Sequence, residues 1–585
     1  MKYPKIPLAQ TVIQLCKAKN IKHIVISPGS RNAPLTIGFS NDPFFKCYSI
    51  VDERCAAFFA LGIAQQIKLP VAVVCTSGSA LLNYYPAVAE AFYSEIPLIV
   101  LSADRPKHLQ NIGDGQTINQ KNVFENHILH SANLKLDLKD ELNIPVSEDI
   151  PIFKNIEDKL ERLLGLQKDI QKHNEQELND ALNKAVFKKG PVHINVPFDE
   201  PLYEMVDALK VAPKNIPIEK EEPKMDTYIL DQCLNDWRKA KRKMVLVGEF
   251  EPNQIEQKWL NVLAKDESVI VLTETTSNLD HGTFIASIDK LIAPLKKDDF
   301  LKLQPEILIT FGGMIVSKKI KAFLREYQPK EHWHISETRA YDTFFCLTQH
   351  IKETPNYFFS EFLPKTKEVK TSYKNYWTGI KLDRAKKHSN YVENLPFSDF
   401  KAFDILFKNL PNDTILQVGN SSAIRYAQLF DIHKSIEVFC NRGTSGIDGS
   451  TSTAIGCAVA NKRQTTFVTG DLSFFYDSNA LWNNYIPASF RIIIINNGGG
   501  GIFRILPGHK DTENFDTFFE TKHTLTAQHL AEMYNFKYKR VSTQSDLTNA
   551  LPLFFKESNQ PKILEINTAG QPNDEILLNY FKHVT

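Results

Sequence analysis

Two short polar segments, one βαβ unit apart, could together hold a metal ion and a diphosphate. Gly470-Asp471 comes after an apolar run at Thr465–Val468, and Asn496-Asn497 comes after another at Ile492–Ile495. Both runs are predicted strands, joined by a helix predicted from about Phe475 to Asn484. Because such connections place both loops at the carboxyl ends of neighbouring parallel strands, we expect Asp471 and Asn497 to converge.

Oxygen ligands and glycines make this pair suitable for a magnesium diphosphate. A carboxylate and a carboxamide suit Mg²⁺, which commonly completes its octahedral shell with phosphate oxygens and water. The glycines from Gly498 to Gly501 lack Cβ atoms, so their backbone can approach a diphosphate and lend a carbonyl to the metal. In the structural alternative, Asp471 caps the following helix and the glycines form a flexible turn.

The combined pattern decides between these interpretations. Gly-Asp, a helix, a strand and Asn-Asn resemble the diphosphate motif of thiamine-diphosphate enzymes, with Leu472 where many members carry a third glycine. A P-loop does not fit, because the chain has no Gly-Lys-Ser/Thr. A dinucleotide fingerprint does not fit either, because Phe503 or Arg504 stands where the last glycine is required. The pattern therefore predicts a site for thiamine diphosphate and Mg²⁺.

A thiamine enzyme also needs a partly buried carboxyl group that shares a proton with N1′ of the aminopyrimidine. Glu53 is the candidate, because it follows the strand predicted at Cys47–Val51 and precedes a helix of small residues from Cys55 to Gly62. Sites in α/β folds open at this end of a strand, which favours the catalytic role. The structural alternative makes Asp52 a helix cap and Glu53 a first-turn residue stabilised by the helix dipole.

The elements that must position these residues form three α/β blocks, each with strand-like runs that alternate with helical stretches. The predicted strands are Ile21–Ser27, Cys47–Val51, Val71–Cys75, Pro97–Ser102 and Val192–Val196; then Met244–Val247, Val269–Thr273, Ile307–Phe311 and His332–Ile335; then Ile415–Val418, Glu437–Cys440, Thr465–Val468, Ile492–Ile495 and Ile563–Ile566. A polar, proline-rich linker is predicted from Val211 to Pro223. We predict three doubly wound parallel-sheet domains over residues 1–205, 206–365 and 366–585.

Composition limits the function. Among 585 residues, 69 lysines and arginines balance 68 aspartates and glutamates, so the broad positive field of a nucleic-acid-binding protein is missing. No apolar run has the length of a signal peptide core or a membrane span. The eight cysteines are scattered without metal-binding spacing and are expected to be reduced thiols. We therefore expect a cytoplasmic enzyme without nucleic-acid or membrane partners.

Five motifs spread over all three blocks carry a more specific resemblance. They are Ser27-Pro-Gly-Ser-Arg-Asn-Ala-Pro34, Asp52-Glu53-Arg54, Ser102-Ala-Asp-Arg-Pro106, Gly419-Asn-Ser421 and Asn441-Arg-Gly-Thr-Ser-Gly-Ile-Asp-Gly449. Together they resemble the 2-succinyl-5-enolpyruvyl-6-hydroxy-3-cyclohexene-1-carboxylate (SEPHCHC) synthase family of menaquinone (vitamin K2) biosynthesis. The first and last motifs distinguish this family from acetolactate synthases and pyruvate decarboxylases.

The resemblance implies a transferase reaction in which 2-oxoglutarate loses CO₂ and the remaining succinic-semialdehyde carbanion adds to isochorismate. It implies a thiamine-diphosphate-binding fold, with pyrimidine-binding, central and diphosphate-binding domains in this order. Thiamine diphosphate with Mg²⁺, or alternatively Mn²⁺, would be the cofactors. The smallest assembly would be a homodimer with its active site at the subunit interface, and a homotetramer is left open.

Transferred position by position, the resemblance also implies the roles of single residues. Glu53 would be catalytic, and Ile447 would be the apolar wedge that bends the cofactor. The cofactor would contact Glu53, Ser421, Ile447, Gly470, Asp471, Leu472, Ser473, Asn497, Gly499 and Ile502. The metal would be bound by Asp471, Asn497 and the Gly499 carbonyl. The substrates would contact Ser30, Arg31, Arg105, Gln116, Lys318, Ser421, Arg425, Arg442, Ile502 and Phe503.

Two alternatives remain open from the sequence. One is another thiamine-diphosphate carboligase or 2-oxoacid decarboxylase, although a pyruvate enzyme needs an apolar pocket in place of several cations. The other is a catalytically inactive regulator that binds a nucleotide, against which Glu53, Asp471 and Asn497 argue. For the basic residues the structural alternative is ordinary surface solvation. Arg31 and Arg442 depart from it most, because small polar residues surround them after predicted strands.

Overall fold

The computed structural model describes residues 2–110, 112–138, 152–218, 223–505 and 512–585, and of residues 152–164 it describes the backbone alone. The predicted linker at Val211–Pro223 therefore lies partly outside the described residues. The chain divides into two compact units. The first holds Met1–Glu219 with Ile455–Ala460 and Trp482–Tyr485, and the second holds the remaining residues from Lys220.

The first unit contains a parallel sheet in the order β3-β2-β4-β5-β7-β6 and a short antiparallel pair, β1 with β8. Its strands are β1 (Tyr3–Pro4), β2 (His23–Ile26), β3 (Lys46–Ser49), β4 (Val71–Cys75), β5 (Leu98–Asp104), β6 (Ser131–Asn133), β7 (Val192–Pro197) and β8 (Met205–Val206). Its helices are α1 (Pro7–Ala18), α2 (Ala33–Asn41), α3 (Glu53–Ile67), α4 (Ser79–Asn83), α5 (Tyr85–Tyr93) and α6 (Ile152–Lys188).

The second unit contains two further parallel sheets, and the first of them has the order β10-β9-β11-β12-β13. Its strands are β9 (Lys243–Val247), β10 (Val269–Thr273), β11 (Ile307–Phe311), β12 (Glu331–Ile335) and β13 (Gln349–Ile351). The helices along this stretch are α7 (Thr227–Lys239), α8 (Gln257–Lys265), α9 (Ile288–Ile292), α10 (Lys297–Leu303), α11 (Lys318–Glu326), α12 (Pro355–Phe362) and α13 (Tyr373–Glu393).

The last sheet is also parallel and has the order β15-β14-β16-β17-β19-β18. Its strands are β14 (Ile415–Val418), β15 (Glu437–Phe439), β16 (Thr465–Gly470), β17 (Arg491–Asn496), β18 (Lys537–Val541) and β19 (Lys562–Asn567). The helices along this stretch are α14 (Asp399–Lys408), α15 (Ser422–Ala427), α16 (Ser450–Ala460), α17 (Asp471–Tyr476), α18 (Ile502–Ile505), α19 (Gln528–Met533), α20 (Gln544–Phe555) and α21 (Asn573–His583).

Successive strand residues of the central sheet enter opposite cores, which is the signature of a sheet covered on both faces. Val245 and Val247 join one apolar cluster, whereas Met244 and Leu246 join the other. All four side chains are buried. With three parallel sheets of this kind, the predicted α/β fold is confirmed. In the part of the chain that the structure describes, no helix is long and apolar enough to cross a membrane.

The helix predicted from Phe475 to Asn484 is wrong in both of its limits. α17 begins at Asp471 and ends at Tyr476, and a 3-10 turn follows over Ser478–Leu481. The buried Asp477 accepts hydrogen bonds from the N–H group and the hydroxyl of Ser452. This tertiary contact holds the chain where the local sequence would have continued the helix.

One asparagine connects the two sheets of the second unit. Asn278 donates from Nδ2 to the carbonyl of Val438 at 2.9 Å, and its Oδ1 accepts from the N–H group of Val438 at 2.8 Å. Val438 lies in β15, the outer strand of the last sheet. In a parallel strand the N–H and C=O groups of one residue point to the same side, so Asn278 satisfies both groups that Val438 directs away from β14.

Candidate active site

The predicted metal-binding segments lie at the carboxyl edge of the last sheet. β16 and β17 are parallel neighbours, so the loops that follow them begin at the same edge. Asp471 is buried, and its Oδ2 accepts hydrogen bonds from the N–H groups of Gly498 at 2.9 Å and Gly499 at 3.1 Å. The two loops therefore meet, as the βαβ pattern requires.

A buried carboxyl group orients Asn497. The Nδ2 atom of Asn497 donates to Asp399 Oδ2 at 2.8 Å, which directs Oδ1 to the opposite side of the amide. Burial raises the pKa of Asp399 to about 6, although hydrogen bonds from Thr568 and Asn497 oppose that rise. Asp399 is absent from the sequence prediction because it lies 98 positions before Asn497 and belongs to no motif.

The glycine run is a packed loop. Gly499 has a φ of +151°, and a Cβ atom there would lie 2.6 Å from the carbonyl oxygen of Glu520. The carbonyl of Gly498 accepts from the N–H group of His523 at 3.1 Å, and that of Gly499 accepts from Gly501 at 3.0 Å. Position 499 therefore requires glycine, and its carbonyl keeps a second lone pair beside the hydrogen bond from Gly501.

The donor set around Asp471 decides which metal would fit. Within the described ranges, no group of three or more histidine, cysteine, aspartate or glutamate side chains could hold a metal ion. A metal beside Asp471 would need amide, carbonyl and phosphate oxygens, which Mg²⁺ accepts. His523 Nε2 also lies 3.3 Å from Asp471 Oδ2, and this carboxylate raises the pKa of His523. Nothing in the motif marks His523.

The predicted cofactor contacts around α17 are connected by a side-chain hydrogen bond. The hydroxyl of Ser473, in the first turn of α17, donates to the carbonyl of Ile447 at 2.8 Å. Ile447 and Leu472 are half-buried, whereas Ser473 is buried. The loop that carries the predicted wedge is thus connected to the helix that begins at Asp471, directly after Gly470.

Asn420 organises the loop at 441–449. Its Nδ2 donates to two carbonyls of that loop, both at 2.7 Å, and its Oδ1 accepts from Nη1 of Arg442 at 2.7 Å. Ser421, the next residue, has a φ of +66° where α15 begins. Such left-handed backbone is strained for serine and is found mainly at functional positions. The motif contains Asn420, but only its contacts reveal this role.

Cations from two sheets of the second unit lie near one another. Burial lowers the pKa of Arg425, and electrostatic repulsion from Arg442 lowers it further. Nε of Arg442 is buried and has no hydrogen-bond partner among the described residues. Burial lowers the pKa of Lys321 as well, with Arg442 and Lys318 among its charged neighbours. The sequence prediction named Lys318, which is exposed, and did not include Lys321.

Ile502 and Phe503 follow the glycine run directly. They form the first two residues of α18, and Ile502 is half-buried while Phe503 is exposed. The ring centroid of Phe503 lies 6.0 Å from that of Phe519. Both residues therefore stand where they can offer apolar surface beside the loop that approaches Asp471.

Glu53 lies in the first unit, in the first turn of α3. Asp52 caps this helix, and its Oδ1 accepts from the N–H group of Cys55 at 3.1 Å. Glu53 is half-buried. Burial is the main cause that raises its pKa, and the negative charge of Asp52 also raises it. The cap proposed by the structural alternative therefore exists, while Glu53 keeps the properties needed to share a proton.

The remaining predicted substrate contacts of the first unit lie after β2 and β5. Arg31 is 6% exposed, and its Nη1 donates to the Phe198 carbonyl at 3.1 Å. Burial lowers the pKa of Arg31, and the positive charge of Arg105 lowers it further. Arg105 donates from Nε and Nη2 to the Gly115 carbonyl. Gln116 follows with a φ of +54°, and Ser30 is exposed.

The predicted site residues thus fall into two groups, each within one unit. The first unit holds Ser30, Arg31, Glu53, Arg105 and Gln116. The second unit holds Lys318, Ser421, Arg425, Arg442, Ile447, Gly470, Asp471, Leu472, Ser473, Asn497, Gly499, Ile502 and Phe503.

Three family models match the chain in sequence order. They are the N-terminal TPP binding domain of thiamine pyrophosphate enzymes over residues 6–131, the thiamine pyrophosphate middle domain over 213–388, and the C-terminal TPP binding domain over 417–566. Together with the three parallel sheets, these matches define a thiamine-diphosphate-dependent enzyme.

Full-length relatives identify one family within this class of enzymes. Proteins named SEPHCHC synthase are 56% identical in Flavobacterium psychrophilum, over 100% of both chains, and 56% in Christiangramia forsetii, over 99% of both. A protein of the same name in Porphyromonas gingivalis is 35% identical over 98% of this chain and 96% of its own. The chain belongs to the SEPHCHC synthase family.

Proposed function

We propose that this chain makes SEPHCHC and CO₂ from 2-oxoglutarate and isochorismate, as a transferase of menaquinone biosynthesis. Full-length family membership carries this proposal, and the cations of both units support it. Both substrates are dicarboxylates, and arginine binds carboxylates through two parallel hydrogen bonds. An enzyme for pyruvate would gain little from Arg425 and Arg442 together.

Glu53 is the proposed catalytic residue. When bound, thiamine diphosphate supplies the nucleophilic carbon and accepts the electron pair that CO₂ leaves behind. Glu53 holds a proton at N1′ of the aminopyrimidine and thereby promotes loss of the proton from the reacting carbon. Its raised pKa, caused first by burial, favours a carboxyl group that shares a proton.

Mg²⁺ is the proposed metal, with Mn²⁺ as an alternative. Asp471, the Asn497 side chain and the Gly499 carbonyl would hold it, and diphosphate oxygens and water would complete its shell. The close approach of the Gly499 backbone and the orientation of the Asn497 amide by Asp399 support this assignment. Gly470, Leu472 and Ser473 line the same segment and would contact the cofactor, with Ile447 as its wedge.

The substrate residues are proposed by charge and position. Arg31 and Arg105 in one unit, and Lys318, Arg425 and Arg442 in the other, supply cations for carboxylates. The remaining proposed contacts are polar or apolar: Ser30, Gln116, Ser421, Ile502 and Phe503. Burial lowers the pKa of Arg31 and Arg425, because a cation that is removed from water is destabilised. A bound carboxylate would stabilise these cations.

The proposed assembly is a homodimer with active sites at the subunit interface, and dimers can pair further into tetramers. The proposed domains are residues 1–205, 206–365 and 366–585. All eight cysteines are free thiols, which is typical of a reducing compartment and supports a cytoplasmic location.

An assay with both substrates, thiamine diphosphate and Mg²⁺ tests the function. We expect CO₂ release from 2-oxoglutarate to accompany the loss of isochorismate, and both to stop when chelator removes the metal. Pyruvate in place of 2-oxoglutarate is the control. Turnover of pyruvate without turnover of 2-oxoglutarate would instead identify another carboligase or decarboxylase of this class.

A further inference from the structure

A buried carboxylate of the central sheet holds the segment that leads to Lys318. Glu274 follows β10 and is 4% exposed. Its Oε2 accepts from the N–H group of Val316 and its Oε1 from that of Ser317, each at 2.7 Å. Because one carboxylate binds two consecutive amides, the peptide immediately before α11 cannot rotate without breaking a charge-assisted hydrogen bond.

A second carboxylate restrains the same turn from another helix. The hydroxyl of Ser317, which caps α11 by accepting from the N–H group of Ile320 at 3.1 Å, donates to Oδ1 of Asp289 in α9. Burial raises the pKa of Asp289, and the hydrogen bond from Ser317 opposes that rise. The beginning of α11 is therefore held by two acidic side chains, one from the loop after β10 and one from α9.

Both carboxylates interact electrostatically with the proposed substrate-binding arginines. Burial raises the pKa of Glu274 to about 7, and the hydrogen bonds from Val316 and Ser317 and then the positive charge of Arg442 oppose that rise. The charge of Arg425 likewise opposes the rise for Asp289. A buried carboxylate is costly unless hydrogen bonds and opposite charges compensate it. Here the compensation comes from the hydrogen bonds of the α11 segment and from the charges of Arg425 and Arg442.

We propose that Glu274 is a positioning residue for substrate binding, which holds the beginning of α11 beside Arg442 so that Lys318, Arg425 and Arg442 meet substrate carboxylates together. This inference rests on the proposed function of these cations. Coulomb's law alone predicts the opposite effect, because loss of a negative charge beside cations would strengthen the binding of an anion. The sign of the change in KM therefore separates positioning from simple charge.

The variant Glu274→Gln tests this role. The amide oxygen can accept one of the two N–H groups, but its nitrogen faces the other as a second donor. Glu306 offers a matched control, because its Oε2 accepts from the N–H groups of Lys241 at 2.6 Å and Arg242 at 3.2 Å. It lies before β11, at the amino end of the same sheet. Glu306→Gln therefore removes the charge of a similar amide-binding carboxylate elsewhere, while its single amide oxygen can still accept from both N–H groups.

Three measurements are compared for the wild type and both variants: thermal midpoint, steady-state constants for each substrate, and hydrogen exchange of the peptide containing Val316 and Ser317. For Glu274→Gln we expect KM to rise roughly tenfold for at least one substrate, with a smaller change in kcat. Exchange at 316–317 should accelerate. Glu306→Gln should leave that exchange unchanged and KM within about twofold, since its clamp does not lead to the cations.

An unchanged or lower KM in Glu274→Gln, or equal kinetic effects in both variants, would overturn the proposal. If Glu274→Gln does not fold, Asp289→Ala is measured in its place, because it removes the acceptor of the Ser317 hydroxyl and so loosens the same turn. Absence of turnover in the wild type would refute the proposed function. In that case, exchange at 316–317, with and without added 2-oxoglutarate, still reports on the clamp.

Discussion

At the residue scale, the surroundings of two carboxyl groups suit them to different work. Asp471 accepts hydrogen bonds from the N–H groups of Gly498 and Gly499, an arrangement that fits a carboxylate at a metal and diphosphate site. Glu53 stands in a first helical turn where burial raises its pKa, which fits exchange of a proton. The same functional group thus receives different roles from its environment.

Replacing Glu53 by glutamine should separate cofactor binding from catalysis. The amide keeps the size of the side chain but cannot share a proton with N1′, so kcat should fall by about 10²- to 10⁴-fold. Titration calorimetry with thiamine diphosphate and Mg²⁺ should still detect binding. Asp52→Asn is the control, because asparagine also caps helices well. Near-normal turnover in Glu53→Gln would remove Glu53 from the mechanism.

Sequence patterns reveal residues that act through their own motif and miss those that act through tertiary contacts. Asp471 and Asn497 could be found because both follow strands of one βαβ unit. Asp399, which orients Asn497, comes from a helix far earlier in the chain. Glu274 has no motif at all, since its partners Val316 and Ser317 become neighbours only after the central sheet has formed.

At the element scale, the loop after β17 depends on glycine at one position more than at its neighbours. Gly499→Ala would place a Cβ atom 2.6 Å from a backbone carbonyl at a φ of +151°. We expect a loss of about 1 to 3 kcal/mol in the free energy of unfolding and a higher Mg²⁺ concentration for half-maximal activity. Thermal melting and metal titration measure the two effects.

Gly379 provides the comparison for that variant. It lies inside α13, and a Cβ atom there would meet nothing within 4 Å. Alanine at this position should stabilise the protein by up to about 1 kcal/mol through helix propensity and leave the metal dependence unchanged. If Gly499→Ala matched Gly379→Ala in both measurements, the packed-loop interpretation would be wrong.

Prediction succeeded for strands that are continuous apolar runs, including the edge strand Val269–Thr273, and failed for charged or very short strands. Val71–Cys75 and Ile307–Phe311 form strands with the predicted limits, because buried parallel strands are continuous apolar runs. β18 was not predicted, since Lys537–Val541 is an edge strand rich in lysine and arginine. β6 and β13 have only three residues each, too few for a periodic signal.

At the scale of the whole molecule, buried histidines should make stability depend on pH. Burial lowers the pKa of His388 from 6.5 to about 3, and that of His332 to about 4. A histidine whose pKa is lower in the folded state contributes stability that is present above pH 6.5 and lost as the pH falls towards the folded value. The protein should therefore unfold more readily between pH 6.5 and 4.

His388→Gln tests the contribution of one such group. Glutamine can replace the contact between Nδ1 and the Tyr580 hydroxyl, 2.9 Å apart, but cannot be protonated. The variant should be less stable at pH 7 by roughly 1 kcal/mol, and this difference should shrink by up to about 1.4 kcal/mol for each pH unit below 6.5. His529, which is exposed, is the control. In urea unfolding, the difference in the free energy of unfolding between His529→Gln and the wild type should not change with pH.

A mixture of inactive variants tests the proposed interface site. If Glu53 of one subunit serves Asp471 of the other, a dimer of Glu53→Gln with Asp471→Asn contains one intact site and one doubly defective site. Random reassembly should then restore about a quarter of wild-type activity. Failure to regain activity, with mixed dimers verified by mass spectrometry, would place both residues of each site in one subunit.

The hydrogen bonds between Asn278 and Val438 have a consequence for aggregation. An outer strand with free N–H and C=O groups is a template on which a second polypeptide can add a strand. At β15 the amide of Asn278 occupies the middle of that template and so blocks pairing between chains. A proteolytic fragment that loses the central sheet would expose Val438, and such a fragment should self-associate through β15 while the intact chain does not.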